Sequence, residues 1–131
     1  MNSIKSPKIV NKKAKFFYSF EIEMEAGLVL RGKEVKQMLV LSSLDEGYIY
    51  IKSRELIWRN DHREIKLLLH KREINRVAGA YSRRGMVIIP LELYRNKSGF
   101  FKIKIGVGIK LKHYDLREKI KKREQSLLEK W

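Results

Sequence analysis

The sequence predicts a mainly β protein: a small antiparallel β-barrel with two or three short flanking helices and a basic C-terminal tail. Three observations lead to this fold class. Residues 18–25 alternate between apolar and polar side chains, which is the period of a half-buried strand. Residues 48–58 and 86–107 each have the pattern of two strands around a polar turn. Residues 113–131 contain no glycine or proline and are rich in charge.

The composition limits the function classes. The chain has 131 residues, of which 44% are apolar, enough for the core of one domain. Its formal net charge is +15, from 30 Lys+Arg against 15 Asp+Glu. This excess favours an anionic partner, either nucleic acid or a membrane surface. The absence of cysteine excludes disulfides, thiol nucleophiles and thiolate metal sites.

The location of the protein is predicted from what the sequence lacks. No apolar run approaches the roughly 20 residues that span a bilayer. Residues 1–15 carry five lysines and no acidic residue, and they have no apolar segment of the kind found in secretory signals. We therefore expect a cytoplasmic protein.

The first strands are predicted in residues 18–30. Residues 18–25 place four apolar side chains on one face and a serine with three glutamates on the other. Ala26 and Gly27 break this alternation, and residues 28–30 resume it as a second strand. Gly32 then precedes a helical pattern whose buried face comprises Val35, Met38, Leu39 and Ser42.

The middle of the chain predicts a hairpin and a second helix. Residues 48–51 and 56–58 form the hairpin across a turn at 52–54, and residues 60–64 make a polar connection. A short buried element follows at 67–69. His70, with Glu73 three residues later, is a weak helix-start signal because histidine is a poor cap. Ile74, Val77 and Ala78 would be the buried face of this helix, and Gly79 is expected to end it.

The last predicted hairpin completes the fold. It joins residues 86–94 to 100–107 across a turn at 96–99, and Pro90 places one strand at an edge or a bulge. Several short antiparallel strands with two short helices indicate a closed or half-closed barrel of the OB type. Residues 1–110 would form this OB-like barrel, with a basic N-terminal arm.

Residues 111–131 are predicted to be a separate basic tail. Its apolar residues form only a narrow helical stripe of Leu116, Ile120, Leu127 and Trp131. A stripe this thin does not support an isolated helix. We therefore expect the tail to be disordered when free and helical when bound.

No catalytic or metal site is predicted, and no cofactor is expected. The three histidines lie in separate segments, and no nucleophile motif or phosphate-binding loop is present. The glutamates at 21 and 23 share the solvated face of one strand. The chain is therefore predicted to bind rather than to catalyse.

Basic groups and aromatic residues favour irregular or single-stranded RNA as the partner. One group, Lys12, Lys13 and Lys15, precedes the first strand, and a second, Lys66, Lys71 and Arg72, surrounds one turn. The tail carries the third group, which comprises Lys110, Lys112, Arg117, Lys119, Lys121, Lys122 and Arg123. Tyr114, among them, has little core to join and is a candidate for base stacking. The aromatic residues 16–18 are expected to pack in the core.

Several blocks occur in one order between Ile9 and Glu124. They are Asn11–Lys15 with Tyr18, Glu25–Gly27, Gly32–Lys36, Lys66–Ile74, Pro90–Tyr94, Lys112–Arg117 and Lys122–Glu124. In this order they resemble the SsrA-binding protein (small protein B) family. The chain departs from the family pattern in the short connection at 60–65 and at Leu111 and Leu116 in the tail.

The resemblance implies a function and a set of site residues. The family has an OB-like barrel with three helices and binds transfer-messenger RNA in trans-translation, the rescue of stalled ribosomes. Glu25 and the strip 68–70 would contact the elbow of the tRNA-like domain. On the resemblance and on charge together, the RNA-contacting positions are Glu25 and Leu68 and His70 of that strip, with Asn11, Lys12, Lys13, Lys15, Lys36, Lys66, Lys71 and Arg72.

The same resemblance implies that the tail enters the small-subunit decoding region and the mRNA channel of the ribosome. Tyr114 would stack near the decoding bases, while Asp115 and Arg117 would support accommodation. We expect a monomer with no membrane partner. One alternative is a ribosomal-protein-like component that binds ribosomal RNA. A membrane-surface binder is disfavoured because the apolar stripe of the tail is narrow.

Overall fold

The computed structural model describes residues 8–33, 44, 47–60 and 63–129, with side chains as far as residue 125. The strands in these residues are β1 (Ile9–Val10), β2 (Tyr18–Leu28), β3 (Tyr48–Lys52), β4 (Glu55–Asn60), β5 (Arg63–Leu68), β6 (Val87–Arg95) and β7 (Phe101–Lys110). The helices are α1 (Lys12–Phe17), α2 (Lys71–Tyr81) and α3 (His113–Glu129). None of the helices in these ranges is long and apolar enough to cross a membrane.

The strands form one antiparallel sheet in the order β1-β6-β3-β4-β5-β2-β7. Strand β6 also pairs with β7, and this pairing joins the two sides of the sheet into a ring. The architecture confirms the predicted mainly antiparallel β fold with three short helices. The arrangement is a ring-like sheet, closed by the β6–β7 hairpin.

The hydrophobic core lies inside the ring. Strand β2 turns Ile22 and Ala26 inward and its glutamates outward, so the predicted alternation is confirmed. Trp58 of β4 is 1% exposed. Val77 and Ala80 bring the apolar face of α2 onto the same cluster. Full burial of a side chain such as Val77 contributes about 1.5–3 kcal/mol to the stability of the fold.

Two of the predicted strand boundaries were wrong. Ala26 and Gly27 do not interrupt β2, because they continue its pairing with Ile103 and Lys102 of β7. The small side chains suit this position, since a Cβ on Gly27 would stand 3.3 Å from the Cβ of Leu68. Residues 29–30 lie outside the strand. The expected connection at 60–64 is also shorter than predicted, because β4 ends at Asn60 and β5 begins at residue 63.

Helix α2 continues past Gly79, where we expected it to stop. It ends at Tyr81, and Ser82 caps it by donating its backbone N–H to Ala78 O and its hydroxyl to Gly79 O. Apart from its chain neighbours and the backbone of its own helix, no atom lies within 4 Å of the Cβ position of Gly79, so this glycine is not required by a close contact. The predicted start is correct: His70 N–H donates to Glu73 Oε1 at 2.9 Å.

A β-bulge forms where Pro90 was expected to disturb the pairing. Strand β6 pairs Pro90 with Ile105 and Glu92 with Lys104, so Leu91 is the extra residue. The register of β2 against β7 also shifts between Phe20 and Ile22. A bulge leaves main-chain groups free of the ladder, and the bulge at Leu91 uses them to hold the N-terminal segment.

Two sequence predictions lie outside the described residues. They are the helical pattern of Val35, Met38, Leu39 and Ser42, and the RNA-binding residue Lys36. For residues 113–129, the structure gives the helix α3. The disorder expected of this tail in the free protein stays a prediction.

Candidate RNA interface

A shallow depression brings together residues from three separate segments. Glu25 lies on the outer face of β2, Leu68 ends β5, and His70 precedes α2. Together with Gly27, Leu69, Glu73 and Lys102, they line about 380 Å³. We call this surface the Glu25 depression. The structure therefore groups Glu25, Leu68 and His70, and their role in RNA binding stays a prediction.

The chemistry of the Glu25 depression differs from that of a simple cationic patch. Leu68 is 53% exposed, which leaves an apolar surface for a base or sugar. Glu25 is exposed on the same surface. A carboxylate repels phosphate, but it accepts hydrogen bonds from a base amino group or a ribose 2′-hydroxyl. The depression thus has the chemistry that suits a base or ribose edge, and Lys102 adds one cation to its lining.

The second basic group is divided between two elements. Lys66 lies on the outer face of β5 and forms an ion pair with Glu55 at 2.9 Å. Lys71 and Arg72 are exposed in the first turn of α2. Cations in a first turn are unfavourable next to the helix dipole, which prefers acids there. Helix stability does not explain Lys71 and Arg72, whereas an anion bound near the Glu25 depression would.

Asn11, which was expected on the RNA-facing surface, is instead 5% exposed. Its Oδ1 accepts from Ala14 N at 3.1 Å and caps α1, while its Nδ2 donates to Pro90 O at 2.9 Å. Its backbone N–H donates to Leu91 O at 2.8 Å. The side chain of Asn11 is therefore held by the β6 bulge and positions α1, and its role in RNA binding stays a prediction.

The lysines expected before the first strand form the helix α1. A helix of six residues is too short to show periodicity, and its only sequence signal was an asparagine at the N-cap position. Lys12 and Lys13 are exposed. Lys15 forms an ion pair with Glu92 at 3.3 Å, so its charge is partly balanced within the protein.

Glu92 was missed by the sequence analysis. It is 6% exposed and is surrounded by the ammonium groups of Lys8 at 2.5 Å, Lys15 at 3.3 Å and Lys104 at 3.7 Å. Burial alone would raise the pKa of its carboxyl. The hydrogen bonds and charges of Lys8 and Lys15 outweigh burial and hold this pKa below its ordinary value. Glu92 is therefore ionised, and its ion pairs with Lys8 and Lys15 hold the N-terminal arm against β6.

The tail is hydrogen-bonded to α1, the helix of the N-terminal arm. Leu111 N donates to Phe17 O at 2.8 Å, just before α3 begins. Lys119 then donates to Lys15 O at 2.8 Å and to Phe16 O at 2.7 Å. A lysine at this position satisfies the free carbonyls at the C-terminal end of α1 and interacts favourably with its dipole.

The outward residues of the tail are accessible. Tyr114 is 71% exposed. Other exposed members of the predicted tail site are Lys110, Lys112, Asp115, Arg117, Lys121, Lys122 and Arg123. Ile120 is 43% exposed, so the apolar stripe of the tail is only partly covered.

The described residues include no group of three or more His, Asp or Glu that could hold a metal ion.

An aromatic groove is a further feature that the sequence analysis missed. Tyr18, Tyr48, Tyr50 and Tyr81 line it together with α1. The rings of Tyr48 and Tyr50 lie 5.9 Å apart. Tyr48 and Tyr50 are neighbours on one face of β3, but no local sequence signal could have brought them together with Tyr18 of β2 and Tyr81 of α2.

Comparison with known proteins gives consistent matches. The SmpB protein family model matches residues 8–62 and 56–130. The SsrA-binding protein of Neorickettsia sennetsu is 37% identical, over 88% of this chain and 89% of the relative. The SsrA-binding protein of Lactobacillus gasseri is 41% identical, over 88% and 86%.

A solved structure has the same fold. It is described as "tmRNA-SmpB: a journey to the center of the bacterial ribosome", and one of its chains is 27% identical to this chain. The TM-score is 0.64, with 82% of this chain and 86% of that chain covered.

Proposed function

Because the chain belongs to the SmpB protein family, we propose that it binds transfer-messenger RNA (tmRNA) and delivers it to stalled ribosomes for trans-translation. The family match over residues 8–130 carries this proposal. The chain spans most of the length of its SsrA-binding relatives, and its ring-like sheet resembles a chain from a tmRNA–SmpB ribosome structure. The protein acts in the cytoplasm, where its ribosomal partners are.

The Glu25 depression is the proposed contact for the tRNA-like domain of the RNA. Glu25 and Leu68 supply a hydrogen-bond acceptor and an apolar surface, and Lys71 and Arg72 supply charge nearby. The N-terminal lysines contribute to the electrostatic attraction. Phosphate contacts of this kind bind without reading sequence, whereas the acceptor and the apolar surface select a shape.

The tail, residues 111–131, is the proposed contact for the decoding region and the mRNA channel of the small subunit. The exposure of Tyr114 and of the surrounding cations supports this role. The helix at 113–129 supports a helical bound form, and the proposal keeps a disordered free form. The activity is binding and delivery, with no catalytic step and no cofactor, by a monomer.

The test is a binding titration against the tRNA-like domain of tmRNA and an unrelated stem-loop of equal length. We expect much tighter binding to the tRNA-like domain, with an affinity that falls steeply with salt. Glu25→Gln should weaken it, while Glu21→Gln should not. Glu21 lies on the same face of β2, about 14 Å along the strand.

Equal binding of both RNAs would refute the proposed function. Ribosome fractionation tests the alternative of a structural ribosomal component. We expect the protein to join ribosomes when they stall. Its permanent presence on subunits would favour the alternative instead.

A further inference from the structure

Helices α1 and α3 enclose a groove of about 650 Å³ that combines aromatic and cationic side chains. Its lining consists of Lys12, Lys13, Lys15, Phe16, Phe17, Lys119 and Arg123. The sequence predicts that the first three lysines contact one RNA and that the last two cations contact another partner. The structure places all five on one surface, which we call the α1–α3 groove.

The two phenylalanines form the apolar part of the groove. Their rings meet edge to face, with centroids 5.0 Å apart and planes at 85°. Phe17 is 39% exposed, although it had been expected to pack in the core. An exposed ring among cations offers a stacking surface to a flat, anionic ligand.

The charge of the groove identifies the class of ligand. Every charged side chain of its lining is a cation. Glu92 partly balances the charge of Lys15, and the other cations of the lining repel one another across the groove, which opposes the approach of α3 to α1. Lys119 holds the helices together nonetheless, through its two bonds to α1 carbonyls and its ammonium 5.2 Å from the centre of the Phe16 ring. A polyanion between the helices would remove the repulsion.

We propose that the α1–α3 groove binds an unpaired nucleotide of ribosomal RNA, with its base on Phe17 and its flanking phosphates between the cations of the two helices. The aromatic surface requires an unpaired base, because bases stacked in a duplex do not expose their faces. The cations require phosphate. Lys119 is a positioning residue, since it fixes α3 against α1 and so forms the groove.

The choice of ribosomal RNA rests on the proposed function. Tyr18 begins β2, and Glu25 lies seven residues further along it, a separation of about 24 Å. The groove and the Glu25 depression are therefore separate surfaces with no lining residue in common. The groove instead lies beside the tail, the segment proposed to contact the ribosome.

The first test uses the full chain and fluorescent hexauridylate, a single-stranded RNA. Phe17→Leu keeps the apolar bulk and removes the aromatic face, and it should weaken binding about fivefold or more, the lower range for one stacked base. Arg123→Met should make the salt dependence shallower, with a slope smaller by about 0.7 for one lost phosphate contact. Phe100→Leu and Lys97→Met are matched controls in the β6–β7 turn, and neither should change binding.

Unchanged hexauridylate binding in Phe17→Leu and Arg123→Met would overturn the inference. So would competition by polyglutamate at equal charge, because the site would then select charge alone. The tRNA-like domain, titrated in parallel, reports on the Glu25 depression. Its result decides the proposed function, while the hexauridylate result still decides the groove.

The second test identifies the source of the RNA. A photoreactive benzoylphenylalanine at position 17 is irradiated in a mixture of ribosomes and tmRNA, with position 100 as the control site. Crosslinks from position 17 to small-subunit ribosomal RNA are expected. Crosslinks to tmRNA alone would overturn the assignment.

Discussion

Replacing Glu92 with glutamine is expected to destabilise the protein by about 2 kcal/mol at neutral pH. The glutamine keeps the size of the side chain and removes its charge. The carboxylate has two ammonium groups within hydrogen-bonding range, those of Lys8 and Lys15, and a third from Lys104 at 3.7 Å.

The size of this loss in stability follows from how deeply Glu92 and its lysine partners are buried. A hydrogen bond to a charged group contributes about 1.5–3 kcal/mol. The side chain of Glu92 is 7% exposed, whereas the lysine side chains are 39–58% exposed. Water therefore screens the ammonium groups and solvates them when the Glu92 carboxylate is removed. For this reason the free energies of the Lys8 and Lys15 hydrogen bonds do not simply add. For a chain of this length, about 2 kcal/mol lowers the melting temperature by about 7 °C.

The effect should depend on pH in a defined direction. The pKa of Glu92 is lower in the folded protein than its ordinary value of 4.5. Such a group stabilises the fold fully above the unfolded pKa, and this contribution is lost as the pH falls through the folded pKa. The difference between wild type and Glu92→Gln should therefore be constant near pH 7 and shrink below about pH 4.5.

Urea unfolding at pH 7, 5 and 3.5 measures these differences. The control is Glu55→Gln, which removes the exposed ion pair with Lys66 and should cost about 0.5 kcal/mol or less. Equal losses in the two variants would refute the reasoning. A loss in Glu92→Gln that stays the same size at pH 3.5 would also refute it.

Three further predictions concern the fold and the tail. Asn11→Ala should cost about 2 kcal/mol in urea unfolding, because α1 loses its cap and the Pro90 carbonyl loses its donor; a cost below about 0.5 kcal/mol would contradict this. Gly108→Ala should cost about 3 kcal/mol, since the new Cβ would overlap the Ser19 carbonyl. Gly79→Ala, with open space around it, is the control and should be neutral or stabilising. Tyr114→Ala should leave tRNA-like domain affinity unchanged and reduce peptide tagging in reconstituted translation about tenfold, and a parallel loss of affinity would show that the tail also holds that domain.

The structure revises one premise about the tail. We had placed the charge of the ring and the charge of the tail in separate clusters. Lys119 and Arg123 instead lie beside α1, so removing the whole tail also alters the N-terminal arm. Substitution of Tyr114 isolates the tail function more cleanly than a deletion does.

The local patterns of the sequence predicted most of the strands correctly. The alternation in β2 and the β6–β7 hairpin depend only on neighbours in the chain, and a side-chain period of two is sufficient to identify them. The start of α2 and the bulge near Pro90 also follow from local chemistry. The failures were boundaries: Gly79 and the pair at 26–27 have the composition of breaks, but tertiary packing continued the helix and the strand through them.

The sequence by itself determined the basic, mainly β character of this protein, its family and its accessible tail, because charge, periodicity and ordered blocks are properties of the chain read in one dimension. Only the tertiary structure decided that Asn11 is buried against Pro90, 79 residues away, and that Lys119 caps the carbonyl of Lys15, 104 residues away. Contacts at such separations leave no local pattern, since they arise from ring closure. The ring therefore decides which cations are balanced, as at Glu92, and which gather into the α1–α3 groove.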